Sequence, residues 1–323
     1  MKKSKLLLLV LVAPLLTGCG KSSVKAPKFA KEGDKVEFDK FVEDLQKAGE
    51  SSAIAKTDTP LKSAVIKGSG EMLGTSELER GGKSNSKSSE YTKSSGEYQY
   101  DATNAILREK STVEVTETLK SDKTKKTVKE TTKRDRSLES AQVSGSNYVV
   151  NVDLAAKEYY PETLISGEVT AAKVVDEEVR YFGTMMMYSF YMSLPIGYWD
   201  TYTDEEKARW AFYENGNIFT FTYEYSLDKD EVKNAADEVV YLESGKTSQK
   251  KQLDFTAGKM SFVEYSSIEY LTEFKLATRY DYVNYGAGDV LKTGTTTASS
   301  YTWTEKDVSL KATDFSKLTA LGF

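Results

Sequence analysis

Cysteine and histidine carry most nucleophilic, acid–base and metal chemistry, and this 323-residue chain has one cysteine, Cys19, and no histidine. Without histidine there is no Ser-His-Asp or Cys-His arrangement and no imidazole base. Structural zinc, which needs several Cys and His ligands, is excluded as well. A lone cysteine cannot close a disulfide within the chain, so the fold must rest on its own core. Carboxylates remain, gathered as Asp176-Glu177-Glu178, Asp204-Glu205-Glu206 and Asp228 to Glu231. The first two fall on expected helices, where consecutive side chains fan outward. The third lacks the glycine and the later glutamate of a calcium loop. All three read as solvated surface. Carboxylate-only catalysis and Ser-Lys pairs stay open in principle, but neither has a motif here. We expect no enzyme, no metal and no cofactor. A formal charge of −5 leaves no footprint for nucleic acid.

The position of the cysteine is more informative than its chemistry. Lys2, Lys3 and Lys5 form a positive start, the run from Leu6 to Leu16 is apolar, and the small residues Thr17 and Gly18 precede Cys19. Those are the three parts of an export signal. An apolar run of about eleven residues is too short for a permanent membrane span, which needs about 20. Pro14 within it argues the same way.

Leu16-Thr17-Gly18-Cys19 resembles the bacterial lipobox, with leucine three residues before the cysteine and small residues between. The resemblance implies cleavage after Gly18, a diacylglycerol thioether on Cys19, and palmitate-class acylation of the new first residue. It implies an exported protein held on the cell membrane, facing away from the cytoplasm. One acyl chain holds a domain only marginally, whereas two or three on one residue make a stable anchor. Gly20 and Lys21 follow the cysteine, so nothing resembles the aspartate-based inner-membrane retention signal.

Three parts are therefore expected: a lipoprotein signal peptide at 1–18, the acylated cysteine with a flexible tether at 19–35, and a single β-rich domain at 36–323. The tether is small, polar and lysine-rich, and about 16 residues of coil span roughly 20–24 Å. Phe38, Phe41, Val42 and Leu45 then mark one face of a helix placed before any strand. From about residue 63 the period is two, as in "EVTETL" and "NYVVNVD", with a turn expected at "ESGKTS". Lys120 to Arg136, with eight basic and three acidic residues, reads as a charged hairpin arm. Such lysines discourage strand pairing with other molecules, and contact with anionic lipid headgroups is the functional alternative. A helical stripe runs through Val175, Val179, Phe182, Met186 and Phe190 and ends at Pro195. "TDEE" from Thr203 is a capping box. Two aromatic runs around Asn215-Gly216 predict a tight hairpin whose second strand carries Phe219, Phe221, Tyr223 and Tyr225 on one face. The remaining strands read as an antiparallel meander.

Met185, Met186, Met187 and Met192 lie among Tyr188, Phe190 and Tyr191. Methionine adapts to irregular apolar ligands, so this helix across an aromatic strand face suits one wall of a lipid-sized cavity. Core packing without a ligand fits the same residues. Three consecutive methionines point in different directions around a helix, which does not suit copper. The candidate ligand-binding residues are Met185, Met186, Tyr188, Phe190, Phe219, Phe221 and Tyr223. The 21 tyrosines fit ordinary strands or a face that stacks on carbohydrate.

An N-terminal helix, long strands, a central apolar helix and further meandering strands resemble half-barrel lipoproteins of the LolA, LolB and LppX type. That resemblance implies an α+β, mainly antiparallel fold: a curved sheet with helices packed on its concave face, enclosing acyl chains. The expectation is a non-enzymatic lipoprotein binding a hydrophobic or lipid-like ligand near the membrane. The alternative is an envelope lipoprotein that binds a protein or glycan and holds no internal ligand.

Overall fold

The computed structural model describes residues 23–52, 63–101, 105–120, 127–143, 146–153, 158–159, 190–256 and 258–311. The signal peptide, Cys19, most of the central helical stripe, and Met185, Met186, Met187 and Tyr188 lie outside the described residues.

The fold is mainly antiparallel β. The chain gives β1 (Asp34–Val36), α1 (Phe38–Ser51), β2 (Ala64–Arg80), β3 (Lys83–Tyr100), β4 (Ala105–Lys120), β5 (Thr127–Val143), β6 (Ser146–Asp153) and β7 (Glu158–Tyr159). Residues 190–192 are helical, and α2 (Asp204–Lys207) follows. Then come β8 (Trp210–Asn215), β9 (Ile218–Lys233), β10 (Val239–Asp254), β11 (Lys259–Phe274), β12 (Thr278–Tyr280), β13 (Val283–Tyr285) and β14 (Val290–Glu305). Twelve strands form one sheet in the order β1-β8-β9-β10-β11-β14-β2-β3-β4-β5-β6-β7, and β12 and β13 form a separate hairpin. The sheet is two meanders joined where β14 pairs with β2, from Val290 opposite Glu79 to Glu305 opposite Ala64. It is not closed into a barrel, and its ends are β1 and β7.

The expected elements form for recognisable reasons. Phe38, Phe41 and Leu45 turn one face of α1 inward and are buried. Gly216, at φ 60°, closes the two-residue turn between β8 and β9. In α2 the Thr203 hydroxyl accepts from the Glu206 amide at 3.2 Å, and the Glu206 carboxylate accepts from the Thr203 amide at 2.8 Å. The charged arm is a hairpin, with Lys120 opposite Thr127, and residues 127–134 are exposed.

Three expectations need correction. β1 precedes the helix, pairing Asp34 to Val36 with Glu214 to Phe212; three residues of backbone pairing leave no periodic signal. "ESGKTS" is not a turn but the middle of β10, where the pairing with β9 shifts between Glu243 and Gly245. A Cβ on Gly245 would sit 2.6 Å from the Tyr270 ring and 2.7 Å from the Glu269 carbonyl oxygen. The glycine serves a close cross-strand approach, a use that reads in sequence like a turn. Finally, "EFKLATRYDYVNY" is not one strand: β11 ends at Phe274 and the chain folds back as the β12–β13 hairpin.

The core gathers at one end of the strands. Phe41, Leu45, Phe190, Phe212, Phe219, Phe221, Leu253, Met260, Phe262 and Trp303 belong to a single buried cluster. Away from it the sheet changes character. Along β2, residues 68 to 76 contain no buried position: all are half-buried except Ser69, which is exposed. Residues of both parities are half-buried there, so both faces are partly open to water.

Candidate functional site

The site is the aromatic end of the sheet, where the candidate residues Phe190, Phe219, Phe221 and Tyr223 fall. Alternation along β9 puts Phe219, Phe221 and Tyr223 on one face, the face on which α1 lies. Phe41 of α1 meets Phe219 edge-on with ring centres 5.7 Å apart, and Phe212 at 5.2 Å. Phe190 packs on Phe221 at 5.1 Å and edge-on against Phe262 at 6.3 Å. Phe190 and Phe221 are fully buried, and Phe219 is 2% exposed. These three rings are part of the packed core among the described residues.

Tyr223 stands at the rim. Its ring lies 4.6 Å from that of Trp210, its pairing partner on β8. Burial raises the Tyr223 hydroxyl above the ordinary tyrosine range, against the lowering influence of Arg209. Arg209 lies over the Tyr225 ring at 4.3 Å and pairs with Glu205 at 3.3 Å. Lys207 sits 5.6 Å from the Trp199 ring centre, and Trp199 covers Phe38 at 4.5 Å. Beside this rim Met192 is 62% exposed and Tyr198 63%. The result is a half-wet aromatic ledge edged by cations, suited to stacking and hydrogen bonding.

Below the ledge, Lys251 bonds to Ser193 at 2.8 Å and pairs with Glu264 at 3.1 Å. That pair ties the segment following Phe190 to the sheet. Among the described residues no group of three or more His, Cys, Asp or Glu is arranged to hold a metal ion, and no helix is long and apolar enough to cross a membrane.

The segment leading into the domain is held at this same end. The Gln252 side chain accepts from the Ala30 amide at 2.7 Å, returns a bond to the Ala30 carbonyl at 3.2 Å, and also reaches Thr220 at 2.8 Å. Lys250 pairs with Glu32 and lies 4.7 Å from the Phe29 ring centre. Asn215 donates to the Lys31 carbonyl at 3.1 Å. The chain is thus strapped to the sheet from about Phe29 onward.

Sequence reasoning placed Tyr223 beside the core phenylalanines but missed Trp199, Arg209 and Trp210. The signal lay in "RWAFYENG", whose tryptophan shares a face with Phe212 by simple alternation. No protein-family model matches this chain, and no curated protein matches it significantly.

Proposed function

We propose that this chain is a lipoprotein of the bacterial envelope, acylated at Cys19, that works without catalysis as a binding protein for a macromolecular partner, protein or glycan. The observation that carries this reading is the packing of the described candidates. Phe190, Phe219 and Phe221, the expected wall of a lipid cavity, are buried in one packed cluster among the described residues. Beyond the core the middle of β2 is half-buried on both faces, which leaves sheet surface there open to a partner. In this reading the sheet is a half-barrel with α1 on its hollow side, which the packing of Phe41 on Phe212 and Phe219 supports.

The anchor enters at the aromatic end. With the chain strapped from Phe29, about nine residues of free tether remain after Cys19, roughly 15–18 Å of coil. The domain therefore stays close to the bilayer, aromatic end first.

Two measurements test the reading. Cys19→Ser should move the protein from the membrane fraction to the soluble fraction; retention in the membrane would remove the anchor from the proposal. The unanchored chain from residue 21, purified and weighed by native and denaturing mass spectrometry, should carry no stoichiometric lipid. A bound lipid lost on unfolding would replace this reading with that of a hydrophobic-ligand carrier.

A further inference from the structure

The far end of the sheet carries a separate hairpin with an unusual tip. β11 is 16 residues long, so Phe274 lies about 50 Å along the strand from the end that holds the strap. There the chain leaves the sheet and folds back as β12 and β13, with Tyr280 opposite Val283. The two residues of the turn, Asp281 at φ 46° and Tyr282 at φ 65°, are both left-handed. A two-residue hairpin turn with both residues at positive φ favours Asn-Gly or Asp-Gly. Aspartate tolerates that conformation, but for a bulky residue it is an outlier. The glycine position is occupied by tyrosine.

That tyrosine adds nothing to the core. Tyr282 is 90% exposed, and its one ring contact among the described residues is the Arg279 guanidinium at 5.6 Å. The hairpin beneath it is held by aromatic packing. Tyr285 stacks on Phe274 with ring centres 4.2 Å apart and planes 9° from parallel, and Tyr280 packs on Tyr241 at 5.7 Å. Val283, next to the turn, is 43% exposed. Among the described residues Arg279 has no carboxylate partner.

We propose that the β12–β13 hairpin is a recognition tip, which inserts Tyr282 into a pocket of a partner protein that offers a carboxylate to Arg279. Backbone strain that serves no internal packing is kept where function demands it. Exposed tyrosine and arginine on a packed support are the side chains that dominate protein interfaces. A protein fits better than a glycan. Val283 follows the ring with aliphatic surface that hydroxyl groups do not reward, and Tyr280 packs against Tyr241 and Phe274, so no second exposed ring extends a stacking platform. The tip lies at the end of the strands opposite the strap, so an anchored domain holds it away from its own membrane. The inference rests on the reading of an anchored binding protein and names the binding surface.

The test uses the full lipidated chain in cells that naturally make it, with a photoreactive amino acid at Val283 and, as a control, at Thr132 on the exposed arm. Irradiation should give one discrete protein adduct from position 283 and none from 132. Adding Tyr282→Gly should weaken that adduct at least tenfold, and purified partner, once identified by mass, should bind the Tyr282→Gly chain at least tenfold more weakly. The same substitution should raise Tm by about 2–4 °C through relief of the turn. The proposal is overturned by equal adducts from 283 and 132, by an adduct indifferent to Tyr282→Gly, by adducts to glycan or to a second copy alone, or by a lowered Tm, which would make the ring a packing residue. If these fail while Cys19→Ser still releases the protein from the membrane, only the tip is withdrawn.

Discussion

The two ends of β2 show two ways to hold one strand. Its first residues, Ala64 to Ile66, are buried, and Ala64 and Ile66 belong to the aromatic core. Its later residues are held by neighbours across the strand rather than by a layer above it. On one face Lys67 pairs with Glu97 at 2.6 Å, Glu71 with Lys93 at 2.5 Å, Glu77 with Lys87 at 3.0 Å, and Glu79 with Lys292. On the other face Tyr301 lies over Gly68, where a Cβ would come within 2.5 Å of the ring. Burial at the first end is cooperative, with each ring touching several others. The ladder is a sum of local pairs, each contributing roughly 0.2–1 kcal/mol. A strand half-open on both faces can therefore persist, but with local stability that differs along its length.

Breaking the aromatic end should have the largest effect. Phe221→Ala removes a fully buried ring that packs on Phe190 and Trp210. It should cost about 3–5 kcal/mol, read as a lower urea midpoint. A loss under 1 kcal/mol would mean that the core is loosely filled.

Next comes the aromatic–glycine contact, which sharpens the comparison because it works by shape. Gly68→Ala should cost about 1–3 kcal/mol by overpacking against Tyr301, and Tyr301→Ala in the same chain should recover most of it. Gly245→Ala should behave differently. There the Glu269 carbonyl oxygen also lies 2.7 Å from the new Cβ, so Tyr270→Ala should rescue it only in part. Equal rescue at both positions would show that the backbone at Gly245 moves aside.

The ion-paired face should respond least to any single change and most visibly to pH. The hydrogen bond from Lys67 holds the Glu97 carboxyl below its ordinary range, against the opposing effect of burial. At Glu77 burial pushes the carboxyl up, but bonds from Ser84 and Lys87 more than offset it. A carboxylate depressed in the folded state contributes stability that is complete above its unfolded pKa and lost as pH falls through the folded one. Protection of β2–β3 amides from hydrogen exchange, corrected for intrinsic rates, should hold above about pH 5 and fall below about pH 4.5, the ordinary glutamate range. Amides of β9 and β10 at the aromatic end should keep theirs over the same interval. A uniform loss would mean that the two regions unfold as one unit.

Much of the fold was legible. The face of α1, the Asn215-Gly216 turn, the capping box at Thr203 and the arm around Lys120 each follow from a local rule that one stretch of chain satisfies alone. The candidate site was legible only in part. Phe219, Phe221 and Tyr223 were placed on one face, but alternation does not say that Phe41 and Phe190 fill the space above them. Gly245 was misread because glycine in a tight turn and glycine beneath a ring have the same composition.

By itself the sequence determined the repertoire: no histidine, a single cysteine near the start, strands of period two, and an amphipathic helix ahead of them. Each of these depends on residue type or near-neighbour spacing, which the chain carries whatever its tertiary contacts. Only the tertiary structure decided that β14 joins the two meanders through β2, that the apolar candidates form a packed core, that the chain is strapped down through Gln252, and that Tyr282 stands exposed on a strained turn. The joining of the meanders and the strap depend on pairings between residues more than two hundred positions apart, such as Ala30 with Gln252 and Ala64 with Glu305. No local pattern records which distant segment will supply the other half of a contact.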